Sequence, residues 1–298
     1  RNAWCTIFCK SFRSFILMNN LLKKHAKSFY WASFFLSKTM INKSIALYNF
    51  CRTLDDIADK NQDLQNKRKL FNDFKQDFIN KNLNNKNINK IYELSNNFNI
   101  SSKIILDLFD GVESDLKDSV KLKTNNELII YSYQVAGTVG LMMAKILNVK
   151  SKDSLRSAID LGIAMQLTNI ARDVIEDDNR NRKYINLNFD DIRETLKLAD
   201  IFYESSFKSI NKIPLNCRFA IIIARRVYRQ IGNEILKRKN IENYKNSGKI
   251  YVSNLGKLNQ TILSILDFIR LLFIKSDEHL RKNEHNIINE KINLDERF

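Results

Sequence analysis

Two short runs carry acids at a spacing that a helix makes useful. In residues 161–185, LGIAMQLTNIARDVIEDDNRNRKYI, a helix turning about 100° per residue puts Gly162, Gln166, Asn169, Asp173 and Asp177 on one narrow stripe. Ile163, Leu167, Ile170 and Val174 fall on the other side and suit packing. Burying a stripe of two amides and two carboxylates is costly unless something pairs with it. Carboxylates at i and i+4 project oxygens from successive turns, which suits a hard divalent cation such as Mg²⁺, with Mn²⁺ as an alternative. An isolated D-x-x-x-D is more often a solvated face. Here a second run, LYNFCRTLDDIADK, repeats the arrangement: Tyr48, Arg52, Asp55 and Asp59 share a stripe, with Asp56 beside them. Two such helices facing one another would hold metal ions on their carboxylates. The metals, with Arg52 and Arg172, would then hold an anion such as diphosphate.

These stripes need neighbours to position them. Residues 127–147, ELIIYSYQVAGTVGLMMAKIL, are apolar on nearly all sides and predict a central helix. Gly137 and Gly140 each cost about 1 kcal/mol relative to Ala in a helix interior. They mark either close helix packing or, with Ala136, the wall of a smooth apolar tunnel whose polar end Tyr131 would face. Further helices are expected over 19–36 (interrupted at HAKSF), 43–60, 64–79, 90–98, 101–119, 190–208, 217–238 and 257–273. His25, Lys27 and Ser28 gather beside Phe29 like an anion-contacting helix entry. Glu113, Asp115 and Asp118 read as a solvated face. In ARRVYRQIGNEI, Arg225, Tyr228 and Arg229 reach the cavity or face water. The helix over 257–273 suits core packing or contact with a membrane surface. Residues 1–17 read as an upstream extension before a start at Met18, residues 18–275 as a single domain, and 276–298 as a charged, frayed tail.

Composition narrows the class. The 298 residues include 44% hydrophobic and 10% aromatic side chains, enough for a full core. Only 7 Gly and 1 Pro leave little turn punctuation, which favours an all-α protein over an all-β or Rossmann-type one. The net charge of +16 invites a nucleic-acid reading, but the lysines scatter through Asn-rich loops and do not line one helix face, so no nucleic-acid partner is expected. An anionic substrate or membrane surface accounts for the charge equally well. Cys5, Cys9, Cys51 and Cys217 show no C-x-x-C spacing and no His companions, so neither a zinc site nor a disulfide framework is indicated, and a cytoplasmic, reducing setting is expected.

The pieces HAKSFYWAS, LYNFCRTLDDIAD, YSYQVAGTVGL, GIAMQLTNIARDVIEDDNRNRKYI and ARRVYRQIGNEI, spanning about His25 to Glu234, resemble the squalene and phytoene synthase family in order and spacing. The resemblance implies a single-domain all-α isoprenoid synthase fold with antiparallel helices around a central apolar cavity. It implies that Asp55, Asp56, Asp59, Asp173 and Asp177 bind Mg²⁺, and that His25, Ser28, Arg52, Gln166, Asn169 and Arg172 contact diphosphate or metal, with Arg225 and Tyr228 added to that set. Tyr48, Tyr131 and Tyr184 match tyrosines at the reaction centre. Phe29, Ala136, Gly137, Gly140, Ala158 and Gly162 would line the prenyl tunnel. Ala26 departs from the Ser or Gly that often follows the His, which puts only that contact in doubt.

The implied activity is head-to-head joining of two prenyl diphosphates through a cyclopropylcarbinyl diphosphate. The first expectation is phytoene from two geranylgeranyl diphosphates. The alternative is presqualene diphosphate, squalene or dehydrosqualene from farnesyl diphosphate, with NADPH required only for squalene. A third reading is a non-catalytic assembly factor of the same fold, disfavoured because both acidic stripes are intact. A monomer is favoured, with peripheral contact at a membrane surface.

Overall fold

The computed structural model describes residues 27–59, 63–274, 279 and 283–298. Among these the chain is almost wholly helical: α1 (Lys27–Ser33), α2 (Lys38–Asp59), α3 (Leu64–Ile79), α4 (Lys86–Phe98), α5 (Ser102–Ser114), α6 (Asn125–Ser132), α7 (Thr138–Ile146), α8 (Lys152–Asp178), α9 (Phe189–Phe207), α10 (Leu215–Leu236), α11 (Ile241–Asn246), α12 (Asn254–Leu272) and α13 (Asn283–Lys291). Local chemistry sets many of the boundaries. The Asp63 side chain accepts the Asn66 amide at 2.9 Å to start α3, and Thr124 with Glu127 forms a reciprocal capping box at α6. Asn99 closes α4 in the left-handed conformation at φ 51°.

The 27-residue α8 is the axis of the molecule, about 40 Å long at 1.5 Å per residue. It packs against α7, α9 and α10. Ile163, Leu167, Ile170 and Val174 are buried, as their side of the helix required. A second cluster gathers Phe50, Phe71, Phe74, Phe78 and Phe109 around the inner face of α2.

The expected single helix over 127–147 is interrupted. Residues Tyr133–Gly137 form a π-helical turn between α6 and α7. Tyr133 is fully buried there and donates its hydroxyl to Asp107 at 2.8 Å. Gly111 makes room for the wider turn, since a Cβ at that position would sit 2.7 Å from the Gln134 Cβ. Such turns recur beside functional sites.

Close helix packing, one of the two roles expected of Gly137 and Gly140, is seen at Gly140 and also at Gly162. A Cβ at Gly140 would lie 2.2 Å from the Ala158 carbonyl oxygen, and one at Gly162 would lie 2.3 Å from the Ala136 carbonyl oxygen. Gly140 of α7 thus meets the backbone of α8, and Gly162 of α8 meets the backbone of the π-helical turn, so close approach is seen at both.

A two-stranded parallel pair, β1 (Val120–Lys121) and β2 (Arg182–Lys183), ties the segment after α5 to the segment after α8. The C-terminal segment corrects the expectation of a frayed tail. Arg297 forks onto Asp107 with two bonds of 2.9 Å, and His285, Ile288 and Leu294 are buried. Its charges pair with the body of the protein, which hydropathy alone could not show.

Replacing Gly162 with Ala gains about 1 kcal/mol of helix propensity but forces a Cβ onto backbone that cannot swing aside. Overpacking of this kind costs about 1–3 kcal/mol. A net loss of stability is expected in urea denaturation, and a variant as stable as the wild type would show that α7 and α8 separate easily.

Candidate active site

A cavity of about 860 Å³ opens between α2, α8, α10 and the start of α12. Its wall holds six carboxylates (Asp55, Asp59, Asp115, Asp173, Glu176, Asp177) and seven basic side chains (Lys27, Arg52, Arg172, Arg180, Arg182, Lys249, Lys257). A site with both signs in such number suits a cation and an anion held together. The stripe on α2 supplies Arg52, Asp55 and Asp59, and the stripe on α8 supplies Gln166, Asn169, Asp173 and Asp177. Two acidic helices thus share one cavity, as their spacing required.

The carboxylates fall into two electrostatic kinds. Asp59 is already paired, 2.8 Å from Arg182 and 3.1 Å from Arg180. Asp173 accepts from Arg172 Nε at 2.9 Å and Nη2 at 2.5 Å, and lies 3.3 Å from Lys249. Arg172 is consequently held above its ordinary range: burial would lower it, and the bonds to Asp173 outweigh that. By contrast, Asp55 and Asp177 accept no hydrogen bond from another described side chain. Burial and then the negative charge of Asp59 push Asp55 up to about 7, and burial and then Asp173 push Asp177 to about 7. Asp55 is exposed and lines the cavity, so its oxygens are reachable. Two carboxylates that face the cavity and accept no side-chain hydrogen bond are a donor set that fits a hard divalent cation.

Behind them sits a group the sequence reading placed in solvent. Asp115 accepts the Tyr184 hydroxyl at 2.7 Å and the Tyr131 hydroxyl at 2.8 Å, and the two hydroxyls are 2.9 Å apart with stacked rings. Glu113 and Asp118 do face outward, pairing with Lys75 and Arg68. Asp115 is drawn in because the β1–β2 pair carries Tyr184 and Arg182 back to the end of α5. Burial raises the Asp115 carboxyl, and burial raises both tyrosines well above their usual value, so each keeps its phenolic proton.

Other expected residues fall in different places. Ser28 and Tyr228 line the cavity, and Phe29 packs on the Tyr228 ring at 5.0 Å. Tyr48 is half-buried one turn before Arg52 and outside the cavity wall. Asp56 turns outward and pairs with Arg52 at 2.5 Å, because it sits about 100° from Asp55 on the same helix. Arg225 is a clear correction: it is buried against α9, donates to the Tyr203 carbonyl at 2.8 and 3.0 Å, and stacks over Phe207. Burial draws its guanidinium down to about 10. Ala136, Gly137, Gly140, Ala158 and Gly162 do not line the polar cavity, and Gly140 and Gly162 serve the helix contact described above. His25 lies outside the described residues. Arg180, Arg182, Lys249, Tyr251 and Lys257 were not anticipated as cavity residues; only their position in the fold brings them there.

An all-α bundle that presents acidic pairs from two helices into one basic-ringed cavity has the architecture of the isoprenoid synthases. Within that class, the chain belongs to the squalene/phytoene synthase family, whose profile matches residues 22–188, more than half of its length. It is similar to the 15-cis-phytoene synthase of Paracoccus sp. (strain N81106 / MBIC 01143), 35% identical over 150 residues that cover 44% of this chain and 49% of the relative. The chain spans about half the length of this and the other most similar curated relatives. The 15-cis-phytoene synthase of Pantoea ananas is 28% identical over 256 residues, covering 74% of this chain and 82% of the relative. A crystal structure of a dehydrosqualene synthase superposes with a TM-score of 0.74 at 27% identity, covering 88% of this chain and 99% of that one.

The raised carboxylates predict a pH signature in metal-free protein. Their folded values near 7 exceed the unfolded value of about 3.9, so the folded state binds protons that the unfolded chain releases. Stability should fall as pH rises between those values. Asp177→Asn should flatten that fall, and Mg²⁺ should raise the melting temperature of wild type more than that of the variant. Calorimetry at pH 5 and 8, with Mg²⁺ or EDTA, checks both expectations.

Proposed function

We propose that the protein is a prenyltransferase that joins two geranylgeranyl diphosphates head to head, giving phytoene through a cyclopropylcarbinyl diphosphate, in carotenoid biosynthesis. The single observation that carries this reading is the pair of acidic helices sharing a cavity with seven basic groups. The likeness to phytoene synthases from bacteria and plants supports the choice of substrate.

Asp55, Asp59, Asp173 and Asp177 would hold Mg²⁺, which when bound supplies Lewis-acid neutralisation of the diphosphate charge. Arg52, Arg172, Arg180 and Lys249 hold the phosphate oxygens, and Gln166 and Asn169 offer amide donors from the same helix face. Arginine suits this task because its planar fork meets two oxygens at once. The hydrocarbon chains need dry surface, which Val135 in the cavity wall and half-buried Val139, Met143, Ala158 and Leu161 would supply. Excluding water there protects the allylic cation from capture by water.

When the cyclopropane ring closes, one carbon loses a proton. The Tyr131–Tyr184 pair is placed to receive it: a phenol oxygen takes that proton as its own hydrogen passes to Asp115. Neither tyrosine needs to exist as a phenolate, which agrees with the strong upward shift of both.

The second reading is condensation of two farnesyl diphosphates, supported by the likeness to the dehydrosqualene synthase structure. Chain-length choice between the two depends on the depth of the apolar pocket. Peripheral membrane contact is consistent with α12, whose Leu255, Ile262 and Leu266 are exposed. Among the described residues no helix is long and apolar enough to cross a membrane.

Incubation with Mg²⁺ and either diphosphate, with and without NADPH, should yield phytoene from geranylgeranyl diphosphate without NADPH, identified by mass spectrometry. A product from farnesyl diphosphate alone would move the protein to the second reading, and no product from any combination would overturn both. Asp173→Ala and Asp55→Asn should each abolish turnover while leaving helix content intact. Asp115→Asn, which keeps shape but cannot accept the proton, should lower kcat by about 100-fold or more.

A further inference from the structure

About 20 Å along α8 from Asp173, at 1.5 Å per residue, lies a second cluster of metal-ligating side chains that the acidic cavity does not use. Asp160 of α8 is 3% exposed, and His279 and His285 of the C-terminal segment are 7% and 5% exposed. One ligand atom from each lies within 4.8 Å of the others. We propose that Asp160, His279 and His285 form a second metal site, separate from the acidic cavity, which takes a borderline divalent transition ion such as zinc and clips the C-terminal segment to α8 and α9.

The donor set distinguishes this site from the first. One carboxylate and two imidazoles suit zinc far better than Mg²⁺, which prefers oxygen alone. The geometry is crowded in a telling way. The Ser205 hydroxyl, His279 Nε2 and His285 Nε2 all converge on Asp160 Oδ2, at 2.6, 2.5 and 3.3 Å. A carboxylate oxygen offers about two lone pairs, fewer than the three groups gathered on it. An ion bound at about 2.0–2.1 Å from each ligand spaces tetrahedral neighbours about 3.3 Å apart. His285 already meets that spacing, and His279 needs to withdraw by less than about an ångström.

One further feature fits a three-ligand site. A void of about 10 Å³ bordered by Asp160, His285, Arg156 and Ile288 is the size of one water, the usual fourth ligand. The ion would join the C-terminal segment to the axis helix at a point independent of the Arg297–Asp107 fork.

The test uses the full chain and reads metal, not activity, so its outcome is separate from that of the prenyl-coupling proposal. After dialysis against Mg²⁺ buffer, about one equivalent of zinc should remain by elemental analysis. Cobalt substitution should give the intense visible absorption of a four-coordinate nitrogen-containing site, not the faint band of an all-oxygen one. That absorption should vanish in His285→Gln and persist in Asp173→Asn, and EDTA should lower the melting temperature of the wild type far more than that of His285→Gln. If wild-type protein retains no zinc and shows no cobalt band, the three side chains are a metal-free hydrogen-bonded clip and the proposal fails. It fails equally if His285→Gln keeps the band. Should that variant not fold, the wild-type spectrum decides alone.

Discussion

The structure is built around two carboxylates that share one cavity and that no basic side chain contacts directly. Asp55 and Asp177 face one cavity from opposite helices, and no side chain neutralises either directly, whereas Asp59 and Asp173 have arginine partners. Burial and like charge raise both free carboxylates to about 7, which is a cost to the fold. Keeping the two acids on one cavity requires a core rigid enough to fix the helices that carry them. The packing of α8 against α7 and the preceding π turn fixes α8: backbone meets backbone at Gly140 and Gly162, leaving no side chain to re-pack.

The same logic explains the ties that cross the chain. The β1–β2 pair is only two residues long, yet it delivers Arg182 to Asp59 and Tyr184 to Asp115. Tyr244 reaches from α11 to the Ala171 and Arg172 carbonyls and braces α8 beside its acidic stripe. Lys249 then comes within reach of Asp173 and Glu176. Arg182 and Lys249 are in this way brought to the wall of the cavity from segments remote in sequence from their acidic partners.

Arg52, Asp55 and Asp59 on α2 and Gln166, Asn169, Asp173 and Asp177 on α8 were legible because helical periodicity converts spacing directly into a shared face. The apolar side of α8 was legible for the same reason. Asp115 was not, because it stands at the end of α5, where periodicity stops and a strand pairing decides direction. Arg225 was misread because an arginine near a motif looks the same whether it meets a ligand or a backbone carbonyl. The π turn at Tyr133–Gly137 was hidden within a run whose composition is compatible with an uninterrupted helix. The C-terminal charges looked solvated because their partners, Asp107 and Asp160, lie more than a hundred residues away.

By itself, then, the sequence determined the all-helical class, the two acidic stripes and the family, since each rests on residue types at short, regular spacing. Tertiary structure alone decided which carboxylates are neutralised, which basic groups ring the cavity, where the tyrosines find their acceptor, and that the tail packs. Those properties depend on distances between segments far apart in the chain. Periodicity carries orientation within a helix, and it carries no information about what the next helix brings alongside.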